Sequence, residues 1–303
     1  MVELQTTLGV TESLASGHIP TISIGMPVYN GAQYVREALD SLLAQTFTDF
    51  ELIISDNASI DGTQAICEEY ALRDPRVRYV RQSENKGAMA NFKFVLDCAQ
   101  ADSFMWAAYD DLWAPSYLMG ATILLADKSI DFVFPTFELG SIRLGIAKKF
   151  DPEIFRFIES PDRRRRVLHF IALHYLSHSA NIVYSLFKTE FLRGAWLVQE
   201  ISNDGALGAV VLSRGRGAMS NDLFSKRYRT IWPGMLPPIA RIAKGWLHKR
   251  DVTGEARQAI QAAGLRMLNL FPEYEREIAF IYERYRPYVH DRYYRVCSIR
   301  ELF

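Results

Sequence analysis

The sequence predicts an α/β fold, a mostly parallel sheet flanked by helices, with a helical extension at the C-terminal end. Three observations predict it. Short β-rich runs alternate with helix-periodic segments of about 10–15 residues, the pattern of βαβ units. The most polar clusters directly follow the strand-like runs, where open parallel sheets hold their ligands. From Pro237 onward the spacing of apolar residues is helical throughout.

The elements follow in order. Residues 1–20 lack periodicity and read as a loose leader. Acids, no Lys or Arg and no apolar stretch make this leader unlike a secretory signal. Thr21 to Pro27 is a β-rich run stopped by the proline. Ala32 to Gln45 carries Ala32, Val35, Leu39, Leu42 and Leu43 on one helical stripe. Phe50 to Ser55 is a second strand, and Asp61 to Leu72 a helix capped by Asp61 or Ser59. Val77 to Val80, Phe104 to Ala108 and Phe132 to Phe134 complete the strands, with helices from Gly87 to Ala99 and opening at Pro115. Beyond Gly140, Asp162–His178 and Asp204–Leu212 read as helices and Ile182–Phe187 as strand-like. Further helices are expected near 238–249, 253–269 and 273–287.

Composition excludes several classes of function. With 303 residues, 49% hydrophobic and 13% aromatic, the chain has ample material for a packed core. Thirty-five Lys and Arg balance 35 Asp and Glu, whereas a dedicated nucleic-acid binder is normally basic. Three widely spaced cysteines form neither a disulfide framework nor a zinc site, which points to a reducing, cytoplasmic setting. No apolar run approaches the ~18 residues of a membrane span. The zero net charge conceals a gradient. Residues 21–111 hold 14 acids against 7 bases, and residues 226–303 hold 15 bases against 8 acids. An acidic front half suits a site that gathers a cation, and a basic tail suits an anionic partner or a membrane surface.

Five clusters could carry chemistry. Pro27-Val28-Tyr29-Asn30-Gly31 is either a strand-to-helix turn or a wall on which a base stacks against Tyr29. In Ser55-Asp56-Asn57-Ala58-Ser59-Ile60-Asp61-Gly62, helix capping explains Ser59 or Asp61 but leaves Asp56 able to accept the N3–H of a uracil-type ring. Asn85-Lys86-Gly87, followed by Asn91, opens a helix whose N-terminal amides favour phosphate. The spacing matches neither a Walker loop nor a dinucleotide-binding glycine motif. Tyr109-Asp110-Asp111 is either a turn before Pro115 or a pair of carboxylates compensated by Mg²⁺ or Mn²⁺. Asp204 is a helix cap or a general base.

In this order, ISIGMPVYNGAQYVREALDSLLAQTF, DFELIISDNASIDGT, the Asn85-Lys86-Gly87 and Asn91 segment, and WAAYDDLWAPSYL resemble the family 2 glycosyltransferases, the large inverting group with the GT-A (Rossmann-like) fold. The likeness is strong over 21–135, weak over 180–230, and does not extend into the C-terminal helices. It implies a nucleotide-sugar-binding half at 21–135, an acceptor-binding half at 136–230 and a helical extension at 231–303. It implies that Tyr29 and Asp56 hold the uracil of a UDP-sugar donor, with Pro27 and Asn30 shaping that wall and Lys86 and Asn91 near the ribose or diphosphate. Asp111 would ligate a divalent metal, Asp110 would touch ribose or donor sugar, and Asp204 would deprotonate a glycan or lipid-linked acceptor. Three positions depart from the family pattern. Ser55 stands for the first Asp of a D-D pair, Tyr109 for the first acid of D-x-D, and Asn203 for a Glu before the base. Asp222, also preceded by Asn, therefore competes with Asp204.

Other features carry alternatives. A nucleotidyltransferase also uses such a sheet with carboxylate-bound metal, but its usual Gly-rich loop is missing from Met26 to Gln33. A non-catalytic nucleotide-sugar-binding protein would keep the fold and lose the base. His174 and His178 share a helix face near His169, without a fourth zinc ligand. Arg163 to Arg166 reads as a solvated helix start, with an anionic lipid-phosphate contact as the lesser reading. The basic amphipathic stretch 238–250 either packs on the catalytic domain or docks at the inner face of a membrane. No pattern specifies the donor sugar, the acceptor or an oligomeric state.

Overall fold

Strand β1 (Ile22–Val28) is buried at every position, which explains why its sequence is a near-continuous apolar run and not an alternating one. It lies between β2 (Phe50–Asp56) and β4 (Ser103–Trp106), and β2 pairs in turn with β3 (Val77–Arg81), all in parallel. The computed structural model describes residues 18–141, 146–149, 151–177, 180–196, 204–228 and 267–285. Three helices cover this parallel half: α1 (Val35–Leu43), α2 (Thr63–Arg73) and α3 (Ala88–Asp97). Helix α1 buries Val35, Ala38, Leu39 and Leu42, one stripe at helical spacing. Helix α3 packs so closely on β1 that a Cβ at Gly25 would stand 2.6 Å from Val95, with Phe104 of β4 2.8 Å away. The strand runs one residue past Pro27, which is tolerated because the ladder to β4 ends at Gly25.

The second half adds antiparallel pairs. Its elements are β5 (Leu112–Trp113), α4 (Tyr117–Leu125), β6 (Phe132–Ser141), β7 (Ile146–Lys149), α5 (Arg163–Ser177), β8 (Leu186–Lys188), α6 (Thr189–Trp196), α7 (Asp204–Arg214), β9 (Gly217–Tyr228) and α8 (Glu275–Tyr285). The sheet order is β3-β2-β1-β4-β8-β6-β9-β5, with β7 paired to β6. The expected α/β class and flanking helices are present. The parallel arrangement holds throughout β1 to β4, and β8 then joins β4 and β6 antiparallel. β5, β7 and β9 go beyond the sequence reading, and β6 extends well past Phe134. Ile182–Phe187 is not one strand: a 3₁₀ turn at Ala180–Tyr184 precedes the short β8.

One aromatic cluster joins the halves. Trp106 meets Phe104, Phe187, Phe92 and Trp196 with ring centroids 5.1–6.4 Å apart. The buried Tyr117 hydroxyl donates to Val133 O at 3.3 Å and accepts from Leu186 N at 3.1 Å, tying α4 to β6 and β8.

The arginine run 163–166 is not simply a solvated helix start. Arg166 is buried and donates to the carbonyls of Leu212, Ser160 and Pro161. Arg163 pairs with Glu273 at 3.0 Å, and Arg164 with Glu277 at 2.5 Å. These contacts fasten the end of α7 and the segment leading into α8. Of the C-terminal helices expected, the last is present as a 3₁₀ turn and α8, while 238–249 and nearly all of 253–269 lie outside the described residues. Among the described residues, no helix is long and apolar enough to cross a membrane.

Candidate functional site

The strand order turns at β1 and β4, because β2 and β3 lie on one side of β1 and β4 on the other. The crevice beyond the carboxyl ends of strands at such a switch point is where open α/β sheets bind ligands. Here Val28 of β1 registers with Asp56 of β2, and Gly25 with Trp106 of β4, so the loops carrying the predicted residues emerge side by side.

After β1, Tyr29 is 40% exposed and free to offer a ring face. Asn30 adopts φ 50°, a left-handed conformation that Asn tolerates well. Its Oδ1 accepts from Ile60 N at 3.0 Å, and its own N–H donates to Ser59 Oγ at 2.9 Å. Gly31 N donates to Thr63 Oγ1, and Ala32 N to Asp61 Oδ2. These bonds stitch the β1 loop to the β2 loop. The start of α2 differs from expectation. Gly62 is the N-cap, and Asp61, one residue earlier, accepts from Thr63 N at 3.0 Å. Burial pushes the Asp61 carboxyl up, but hydrogen bonds from Thr63 and Ala32 outweigh it and hold the group below its ordinary value.

Asp56 is wholly buried at the end of β2. Its Oδ1 accepts from Ser59 N at 2.8 Å and its Oδ2 from the Tyr79 hydroxyl at 2.9 Å. Burial and the neighbouring carboxylate push the Tyr79 phenol well above its ordinary value, so it stays a donor. A carboxylate has about four lone-pair sites, and two remain after these bonds. Tyr79 was not singled out in the sequence. The register of the folded sheet brings it there: β3 sets Tyr79 beside Ile54, and the two-residue strand period then puts Tyr79 and Asp56 on one face.

The loop after β3 is joined to the same cluster. Buried Asn57 donates to Asn85 Oδ1 at 2.8 Å and accepts from Lys86 N at 3.0 Å. Gly87, with φ 84°, makes the turn into α3 at a dihedral that favours glycine. Lys86 itself is exposed beside these loops. Asn91 faces inward. Its Oδ1 accepts from Ser55 Oγ at 2.6 Å and its Nδ2 donates to Ser55 O at 2.9 Å. Ser55 also accepts from Gln82, so the serine that replaces a family acid is a buried junction of β2, α3 and the loop after β3. Asn91 is thereby bound into the scaffold and not presented to the crevice.

After β4, the ring of Tyr109 lies over Gly31: a Cβ there would stand 2.6 Å from Tyr109 Cδ2. Asp110 is half-buried and Asp111 is 2% exposed. Among the described residues, no three His, Cys, Asp or Glu side chains gather as a metal cage. One or two adjacent carboxylates nevertheless fit Mg²⁺ or Mn²⁺, hard ions bound through few protein oxygens, water and substrate phosphates.

Asp204 opens α7. That helix ends two residues before β9 begins, and β9 starts beside Phe132, the first residue of β6. It also packs on the 3₁₀ turn at 180–184, which precedes β8 and so stands toward the carboxyl ends of β4 and β6. Asp204 therefore begins the helix on the crevice side. Asp222, its competitor, has both oxygens engaged. Oδ1 accepts from Ser116 Oγ at 2.5 Å and Oδ2 from Ser220 Oγ at 2.9 Å. His178 and the side chain of His174 lie outside the described residues; His169 stacks on Phe157, and burial lowers its pKa.

The sequence profile of Glycosyl transferase family 2 matches residues 23–181, just over half of the chain. An uncharacterized glycosyltransferase of Rickettsia typhi is 37% identical over 97 residues, covering 32% of this chain and 29% of that protein. The putative teichuronic acid biosynthesis glycosyltransferase TuaG of Bacillus subtilis is 31% identical over 120 residues, covering 40% of this chain and 48% of its own. The chain thus spans less than half the length of these relatives. S. aureus TarS 1-349 in complex with UDP superposes with a TM-score of 0.56 at 16% identity, over 90% of this chain and 89% of that one. The mannosyltransferase PcManGT of Pyrobaculum calidifontis, in complex with GDP-Man and Mn²⁺, gives 0.55 at 18%, over 91% and 73%. At these identities the structural likeness is one of fold.

Proposed function

The chain belongs to glycosyl transferase family 2, of the GT-A type, and from that premise we propose that it moves a sugar from a UDP-sugar to an acceptor hydroxyl with inversion at the anomeric carbon. The acceptor is a growing polysaccharide or a glycolipid, and the Bacillus subtilis relative is named for teichuronic acid biosynthesis. One observation carries the reading: the loops after β1, β2, β3 and β4 meet at the switch point, with Tyr109 lying on Gly31 beside Asp110 and Asp111.

In this mechanism Tyr29 stacks on uracil, walled by Pro27 and Asn30, and Asp56 takes the ring N3–H on a remaining lone pair. Lys86 draws in the diphosphate, and Asp110 contacts ribose or donor sugar. Asp111 holds Mg²⁺ or Mn²⁺, which when bound supplies charge neutralisation at the departing UDP. Asp204 takes the proton from the acceptor hydroxyl as that oxygen attacks the anomeric carbon from the face opposite UDP. One displacement inverts the centre, and no covalent intermediate forms. Family membership removes support for the nucleotidyltransferase alternative.

Calorimetry with UDP and MnCl₂ tests the donor half. Asp111→Asn should weaken Mn²⁺-dependent UDP binding by at least about tenfold, the lower range for disturbing a metal ligand's surroundings. Equal affinity in the two proteins removes the metal assignment. Asp204→Asn should keep UDP affinity and lower transfer by about 10²–10⁴-fold. Undiminished transfer would leave the base role without a basis.

A further inference from the structure

The geometry points to Asp222 as a positioning residue that holds the Asp110–Asp111 loop in place by gripping Ser116 at the entry to α4, an inference that rests on the metal-binding reading of that loop. The argument begins with a defect in β9. Pro135 of β6 registers with Ser220, and Thr136 with Leu223, so Asn221 and Asp222 are extra residues in the ladder. Bulges of this kind re-aim side chains next to active sites. Thr136 Oγ1 donates to Asp222 O at 2.9 Å, which satisfies the carbonyl that the ladder leaves out.

The redirected carboxylate reaches the N-terminus of α4. Ser116, the residue before the helix, donates to Oδ1 at 2.5 Å, and Ser220 donates to Oδ2 at 2.9 Å. A negative charge is favoured at that helix end. Gly120 makes room for it, because a Cβ there would overlap Asp222 Oδ2. Both oxygens are occupied by hydroxyls of the same chain, an arrangement that suits an anchor and not a proton acceptor for substrate.

The segment between the strand end and Ser116 is held from the other side by α1 and the residues that follow it. Ser41 Oγ accepts from Trp113 N at 3.3 Å, Gln45 Nε2 donates to Ala114 O at 2.7 Å, and Thr46 N donates to Pro115 O at 2.8 Å. β5, two residues inside the segment, pairs with β9 through Leu112–Ser225 and Trp113–Phe224. The carboxylates 110 and 111 thus sit on a short span between β4 and β5, and Asp222 is the charged contact that closes its far end.

The test is UDP binding by calorimetry with and without MnCl₂ on the full chain. Asp222→Ala and Ser116→Ala should each weaken Mn²⁺-dependent UDP binding, by about tenfold for Asp222→Ala, as for the loss of outer support to a metal ligand. The double variant should be no weaker than Asp222→Ala alone, because both remove one contact. UDP affinity without Mn²⁺ should not change. Asp222→Asn, which can still accept one hydroxyl, should recover most of the affinity, and Ser116→Ala carries the test if Asp222→Ala does not fold. Val167→Ala, a cavity in the buried face of α5, should lower the melting temperature without altering Mn²⁺ dependence. Unchanged Mn²⁺-dependent affinity in Asp222→Ala, or in Ser116→Ala where Asp222→Ala does not fold, overturns the inference, as does loss of transfer with UDP binding intact, which would mark a base. Asp111→Asn run alongside separates two failures. If it binds UDP like the wild type, the metal reading falls and this inference with it; if it alone weakens binding, only this inference falls.

Discussion

The Ser55–Asn91 pair is built from two buried hydrogen bonds that leave neither residue facing the crevice. Asn91→Ala would leave the buried Ser55 hydroxyl without its acceptor, at a cost of about 1–3 kcal/mol. Urea unfolding should show that loss while UDP affinity stays close to wild type; a fall in UDP affinity with no loss of stability would instead make Asn91 a ligand contact. The same reasoning separates the neighbours. Tyr29, exposed and in a loop, has chemistry readable from position alone. Asp56 was readable as an acceptor, but its two internal donors, Ser59 N and Tyr79, come from its own loop and from another strand.

Among elements, α5 shows how four consecutive arginines diverge in role once packed. Arg166 is buried, and its guanidinium donates to three carbonyls, with Asp162 and Asp131 acting on it through charge alone. Burial lowers its pKa below the ordinary arginine value. Arg166→Ala removes three hydrogen bonds, one of them to the buried Leu212 carbonyl, and should cost about 1–3 kcal/mol. Arg164, whose side chain is 58% exposed in its pair with Glu277, should tolerate alanine with no measurable change in melting temperature. Equal losses in the two variants would contradict this division of roles. From sequence, the four positions are indistinguishable, because the Leu212 carbonyl meets Arg166 only after α7 has packed on α5.

Over the whole molecule, the shifted acids share a direction. Thr21 and His18 hold Asp49 low, Arg76 holds Asp74 low, and Arg36 with Arg73 hold Glu69 at about 2. Asp61, Asp127 and Glu277 are also lowered. A carboxyl whose folded pKa lies below its unfolded value stabilises the fold above the unfolded value, and that stability is lost as pH falls through the folded one. His169 adds to the same trend, since burial favours its neutral ring and protonation below 6.5 opposes folding. The urea midpoint should therefore decline slightly from pH 7 to 5 and steeply below about 4. A midpoint that rises on acidification would contradict the assignment.

What the amino-acid sequence determined alone is the parallel half, β1 to β4, α1 to α3 and the loops with Tyr29, Asp56, Lys86, Asp110 and Asp111, together with helices α4, α5, α7 and α8 and the start of β6. Those elements announce themselves through short-range periodicity, and the strand-end rule then says which loops meet. Tertiary structure decided the rest. β9 reads as a mixed polar stretch because its bulge at Asn221–Asp222 breaks the two-residue alternation, and β5 is two residues that become a strand only beside β9. The inward turn of Asn91, the grip of Tyr79 on Asp56 and the reach of Asp222 to Ser116 join residues 36, 23 and 106 positions apart. Local patterning cannot encode such pairings, because each donor finds its acceptor only once distant segments are packed.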